Sequence, residues 1–193
     1  MWELKTIKEV CTIQPPKSEA RKMLKSDDLV SFIPMADLGE CTKHFESHQV
    51  KSLNEVSSSY TYFAENDLIL AKITPCFENG KLGIARNLKN GVGFGSSEFI
   101  VLRSKGSIDP EYLFYFLSQD TFRKDGAAVM TGAVGHKRVP KEFIEEHKIP
   151  IPPLPEQKRI TAILDETLAG INAAIANTQA NFAAARQLFE SYL

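Results

Sequence analysis

The chain has 193 residues, 43% of them hydrophobic, and its 23 lysines and arginines nearly balance 24 aspartates and glutamates. That supports one buried core, contains no run approaching the ~18 apolar residues of a membrane span, and confines any nucleic-acid surface to a local patch. Cys11, Cys41 and Cys76 are odd in number and share no metal-ligand spacing. They read as free thiols of a reducing cytoplasm, and the opening Trp2-Glu-Leu-Lys5 has no signal-peptide pattern.

In chain order, Ser18–Lys25 has helical character and Leu29–Pro34 is extended; the first 60 or so residues carry the weakest signals. Phe63–Pro75 contains a buried strand, Leu68–Ile73, introduced by the turn-forming Glu65-Asn-Asp67. Lys81–Arg86 alternates and fits a second strand after the Glu78-Asn-Gly80 turn, and Glu98–Arg103 fits a third. Asp109 is placed to cap a helix over Glu111–Leu117 that has Pro110 at its first position. Gln119–Met130 is helical in part, Thr131–Gly135 is broken by glycine, and Lys141–His147 fits one short helix. The pattern predicts a mixed α+β head over residues 1–150.

Residues 151–193 differ. Pro150-Ile-Pro-Pro-Leu-Pro155 places four prolines in six residues, which predicts a stiff polyproline strap over Pro150–Pro153, with Pro155 opening a helix. From Glu156 to Leu193 there is no further proline and a single glycine, Gly170. Leu164, Leu168, Ile171, Ile175, Thr178, Phe182, Ala185, Phe189 and Tyr192 alternate steps of four and three, a heptad seam broken only by Thr178. A helix of about 38 residues reaches roughly 57 Å, longer than a small domain is wide. The seam therefore calls for a partner helix; folding back onto the head is the second reading.

Several motifs, in this order, resemble the specificity subunit of Type I restriction–modification enzymes. They are Trp2-x-Leu4 with Ile7-Lys-Glu-Val10, then Phe32-Ile-Pro-Met-Ala-Asp-Leu38. Asp67-Leu-Ile-Leu-Ala-Lys-Ile-Thr-Pro-Cys-Phe-Glu-Asn-Gly-Lys81, Gly95-Ser-Ser-Glu-Phe-Ile-Val-Leu102 and Thr131-Gly-Ala-Val-Gly-His-Lys-Arg138 follow. Ile149-Pro-Ile-Pro-Pro-Leu-Pro-Glu-Gln-Lys-Arg-Ile160 is the most specific block. The resemblance implies an α/β target recognition domain that reads double-stranded DNA, followed by a long coiled-coil spacer helix. It also implies a non-catalytic, cytoplasmic role, holding methyltransferase subunits and, through them, a translocating restriction subunit on their site. S-adenosylmethionine, ATP and magnesium would be bound by those partners, so no cofactor is expected on this chain. Two departures stand out. The chain has one recognition domain and one spacer helix where the family has two of each, and Asn66 replaces a more usual glycine. The first implies a half-length subunit that pairs with its own copy, or a fragment of a longer chain. A homodimer would read an inverted repeat, and antiparallel rods would separate its half-sites by roughly 35–55 Å, or about 10–16 base pairs.

Two loops carry groove-reading chemistry. Lys72, Thr74, Glu78, Asn79 and Lys81 surround a turn between two strands; lysine suits phosphate or guanine, asparagine suits adenine, and threonine suits phosphate or a thymine methyl. Thr131, Gly132, Gly135, His136, Lys137 and Arg138 form a flexible basic element, while Ser96 and Ser97 stand at a strand start. Each alone reads as a solvated turn; two such loops in one neutral domain, with the resemblance, point to DNA contact. Phe77 reads as packed rather than stacked on a base.

Sharper chemistry is weaker. Gly91-x-Gly93-x-Gly95 precedes a strand, the reverse of the context a nucleotide loop needs. No Gly-Lys-Ser/Thr loop and no methyltransferase Pro-Pro-aromatic tetrapeptide occurs. His44 and His48 share i, i+4 spacing but read as a surface pair with no third ligand. The rival from another class is a small metal-dependent nuclease using Asp120 or Asp125 with Glu146-x-Lys148; a third reading is a coiled-coil adaptor.

Overall fold

The computed structural model describes residues 2–45, 47 and 49–192. His48, of the His44–His48 pair, and Leu193, the expected helix end, lie outside the described residues. Strand β1 (Glu3–Thr6), helix α1 (Ile7–Val10), strand β2 (Cys11–Ile13) and helix α2 (Ser18–Met23) open the chain. Then come β3 (Leu29–Ile33), β4 (His44–Phe45), β5 (Gln49–Ser52), α3 (Leu53–Val56), β6 (Thr61–Ala64), β7 (Leu68–Ala71) and β8 (Leu82–Ala85). The remainder is β9 (Val92–Gly95), β10 (Phe99–Ser104), α4 (Pro110–Leu117), α5 (Asp120–Ala128), α6 (Lys141–Glu146), β11 (Lys148–Ile151) and α7 (Leu154–Ser191).

Two sheets face each other in the order β2-β10-β7-β8-β4 and β5-β3-β9-β6. Side-chain alternation along the strands explains the layers. On β10, Phe99 and Val101 enter the core between the sheets, where Ile33 of β3 and Phe63 of β6 meet them. Ile100 and Leu102 point the other way, into a core closed by Ile7, Leu113, Phe122 and Ile144 of α1, α4, α5 and α6. Val30, Phe32, Tyr62 and Phe94 form a third core beneath Ala20 of α2 and Val56 of α3.

The glycine run finds its reason here. Gly91 ends the turn before β9, and Gly93 and Gly95 lie within the strand; a side chain at Gly93 would begin 2.1 Å from the Phe63 ring, while one at Gly95 would begin 2.5 Å from the Phe99 ring. The two glycines make room for aromatic rings between the sheets. Gly93→Ala should therefore destabilise the head by about 2–3 kcal/mol, the usual cost of overpacking a filled core. A urea midpoint unchanged from wild type would show that the Phe63 ring yields freely.

Several predicted elements lie where the residues put them. The Asp109 carboxylate accepts from the backbone N–H groups of Glu111 and Tyr112, with Pro110 in the first turn. Asn66 adopts φ +69° at the turn before β7, a left-handed conformation that glycine or asparagine suits. The strap is a correction. Lys148–Ile151 is a β-strand paired antiparallel with β1, so Pro150 and Ile151 belong to a two-stranded sheet rather than a polyproline segment. Such a ribbon offers a proline an edge position that needs no N–H donor.

The rod begins with a buried glutamine. Gln157, 0% exposed, donates from Nε2 to the carbonyls of Ser107 and Pro152 and accepts the Asp109 N–H at 2.7 Å. Two turns later Asp165 accepts from Lys43 Nζ at 2.6 Å and from the Tyr115 hydroxyl. Lys43 also reaches Glu111 at 2.7 Å, and Glu111 faces Arg86. Burial alone would lower the Lys43 pKa, but the hydrogen bonds it donates to Asp165 and Glu111 outweigh it and hold the ammonium above its usual range. The head thus grips residues 154–165 of α7, and the residues beyond Asp165 are exposed.

Candidate nucleic-acid interface

The two candidate loops, separate in sequence, meet. Residues 131–138 close on themselves: Thr131 N–H donates to the Arg138 carbonyl at 3.0 Å, and Arg138 N–H donates to the Thr131 carbonyl at 2.8 Å. This closed loop is then laced to the segment following β7. The Thr74 N–H donates to the Lys137 carbonyl and the Val139 N–H donates to the Lys72 carbonyl, each at 2.9 Å. The third segment joins through Lys72, whose backbone N–H donates to the Glu98 carbonyl and whose Nζ donates to the Ser97 carbonyl at 3.0 Å. Lys72, Thr74, Ser96, Ser97, Thr131, His136, Lys137 and Arg138 therefore share one face of the head.

Charge on that face is partly used within the fold. Arg138 forks onto Glu98, with Nε and Nη2 at 2.8 and 2.7 Å from its two carboxylate oxygens. The guanidinium hydrogen bond holds the Glu98 carboxyl below its usual range, and Glu98 in turn raises Arg138. Lys137 and His136 are exposed on the same loop. The Ser96 hydroxyl accepts the Glu98 N–H at 3.2 Å, which shapes the turn before β10.

The other half of the first loop turns away. Asn79 donates to the Glu40 carboxylate at 3.0 Å, and Lys81 Nζ donates to the carbonyls of Met35 and Ala36. These contacts give the Phe32–Leu38 segment a structural reason, since the carbonyls of Met35 and Ala36 receive the lysine that precedes β8. Glu78 sits between the halves: one carboxylate oxygen takes the Thr74 hydroxyl, and the other is buried with no hydrogen-bond partner among the described residues. Phe77 is packed, 3% exposed, against Phe122. Sequence reasoning missed Glu98, although an acid between two serines and an apolar strand was a visible signal.

The nuclease residues are not assembled. Asp120 pairs with Arg123 and Lys124 on its own helix, whereas Glu146 pairs with Lys8 on α1. Asp125 and Lys148 are exposed. Among the described residues, no three His, Cys, Asp or Glu side chains are grouped to hold a metal. His44 lies on β4, 3.6 Å from Glu111, as a surface residue. No described helix is long and apolar enough to cross a membrane.

Along α7 the heptad positions stand open. Leu168, Ile171 and Ile175 are about half exposed, Phe182, Phe189 and Tyr192 are more so, and Thr178 and Ala185 are also exposed. Leu164 is half-buried and lines an apolar groove with Trp2, Tyr115, Phe116 and Ile160, where the rod meets the head. The Thr178 hydroxyl donates to the Ala174 carbonyl at 2.8 Å, so the one polar seam residue is satisfied within its own helix.

Known proteins are similar to this chain in sequence and in fold. The chain is 43% identical over 164 residues to the Type I restriction enzyme EcoAI specificity subunit of Escherichia coli, covering 82% of this chain and 26% of that one. It is 38% identical over 170 residues to the EcoEI specificity subunit of the same organism, covering 86% and 28%. The chain thus spans about a quarter of the length of these curated relatives. In fold it is similar to the HsdS subunit from Thermoanaerobacter tengcongensis, with a TM-score of 0.61 and 22% identity over 89% of this chain and 38% of that one. A chain from a solved type I R-M system matches with a TM-score of 0.64 and 22% identity, over 95% and 42%. Residues 1–180 match the family described as the Type I restriction modification DNA specificity domain, and the chain belongs to that family.

Proposed function

We propose that this chain is a sequence-specific DNA-reading module of a Type I restriction–modification system. The observation that carries this reading is the face on which the half-buried Lys72 and the exposed Ser97, His136 and Lys137 converge from three segments. Lysines and backbone N–H groups meet phosphates, while loop side chains reach base edges. The chain itself supplies recognition rather than chemistry. Methyltransferase subunits dock on it and bind S-adenosylmethionine; a restriction subunit, which uses ATP and magnesium, joins through them. Residues 1–150 form the reading domain, and 151–193 form the spacing and dimerisation element.

Two copies pair through the open seam of α7, and an antiparallel arrangement fits it. It sets the aromatic end of one rod, Phe189 and Tyr192, against the apolar groove at the base of the other. Parallel pairing would leave that groove uncovered.

The basic loop provides the test. Lys137→Ala with Arg138→Ala should weaken binding to the cognate duplex and lower the slope of log affinity against log salt by about one to two. Glu98 would then face the phosphates without its guanidinium, which adds to the loss. A salt slope equal to wild type with relaxed preference at one base would make the contact a base edge. An unchanged affinity would remove the loop from the interface.

A further inference from the structure

Val134, at the tip of the basic loop, is 93% exposed and belongs to none of the three cores. Single exposed apolar residues are ordinary on protein surfaces. This one is held out by its backbone. His136 N–H donates to the Ala133 carbonyl at 2.9 Å, closing a four-residue turn with Val134 and Gly135 at its centre. Gly135 has φ +79°, the value a type II turn requires at its third position. That turn sits within the ring closed by the paired Thr131 and Arg138, which is fastened to Thr74 through Lys137. The arrangement presents a branched apolar side chain on a braced support, with the exposed His136 and Lys137 beside it. Nothing in the turn calls for valine, since a polar residue adopts its second position equally well.

We infer that Val134 is a specificity-determining residue that packs against the C5-methyl of a thymine in the major groove. This rests on the DNA-reading proposal above. The thymine methyl is the apolar group on a base edge that a side chain of this kind can recognise, and cytosine lacks it at the same place. Lysine and histidine beside it supply the phosphate attraction that brings the tip into the groove. The valine then favours thymine where the polar loop residues cannot.

The test titrates the chain, with its methyltransferase partner, against the cognate duplex with each thymine replaced in turn by deoxyuridine, which lacks only that methyl. At one position the replacement should weaken wild-type binding about fourfold, the size of one buried carbon. Val134→Ala should lose about as much on the thymine duplex and no longer distinguish thymine from uracil there. Folding is not at issue, because the side chain contributes to no core. If wild type and Val134→Ala respond alike to every uracil, another residue reads the methyl and the inference is wrong. An equal loss for Val134→Ala on every duplex means a wedge against sugar or stacked bases, which also overturns it. Wild type binding all duplexes without sequence preference defeats the DNA-reading proposal itself, and this inference with it.

Discussion

Leu168→Asp combined with Ile175→Asp should convert a dimer of this chain into monomers in light scattering. Both residues are about half exposed on the isolated rod and lie on the same seam. Pairing would bury them, and a carboxylate buried in an apolar seam costs several kcal/mol unless it escapes or protonates. Two such groups on each chain, four in a symmetric dimer, exceed what a single seam supplies. The head should keep its stability, because its grip on α7 ends at Asp165, upstream of both substitutions. Gln157 and Thr161, the buried positions of the rod, are also untouched. A double mutant with the wild-type dimer mass would place the interface elsewhere, and a monomeric wild type would assign the seam to a different helix.

The parts of this structure that were legible in sequence are those fixed by neighbours along the chain. Leu68–Ala71 and Phe99–Ser104 are apolar runs bounded by turns; helix α4 carries its own cap in Asp109-Pro110; the rod repeats one pattern over its whole length. Two short helices carry local signals of their own. Thr6 with Glu9 and Ser52 with Glu55 are capping boxes, in which the carboxylate accepts the N–H of the first residue at 2.6 and 2.8 Å. Strand β9 was hidden for a different reason. Its apolar partners on one face are the rings of Phe63 and Phe99, supplied by other strands, so its own sequence shows glycine where a core residue would signal a strand. The site divides in the same way. Residue types suitable for phosphate and base edges could be named from the sequence, but their grouping could not. Thr74 meets Lys137, and Arg138 meets Glu98, only through the long-range path of the sheet. The division of the first loop, with Asn79 and Lys81 drawn back to Glu40 and Met35, likewise depends on a contact distant in the chain.

Methylome sequencing of a host carrying this chain and its methyltransferase should reveal an inverted repeat with an unread gap. An isologous pair presents the same reading face twice about a two-fold axis, so the two half-sites must be related by the same symmetry. The seam itself suggests the register. With the axis at Thr178, antiparallel rods set Leu164 against Tyr192 and Ile171 against Ala185, and bring Leu168 and Ile175 to within one residue of Phe189 and Phe182. Large residues meet complementary ones, and the self-satisfied Thr178 pair lies at the centre, where it strands no hydroxyl. In that register the two Leu164 positions, each at the edge of a head, are separated by the rise from residue 164 to 192, about 42 Å. At about 3.4 Å per base pair, the half-sites should lie about 12 base pairs apart, centre to centre. Shortening the rod by one heptad, removing residues 175–181, would shift that spacing by about three base pairs if the helices re-pair around the new centre. The recognised half-sites themselves should not change, because no residue of the reading face lies on the rod. An asymmetric methylated motif, or a palindrome with no gap, would exclude the antiparallel homodimer. A gapped repeat whose spacing ignored the deletion would show that something other than the rod sets the distance.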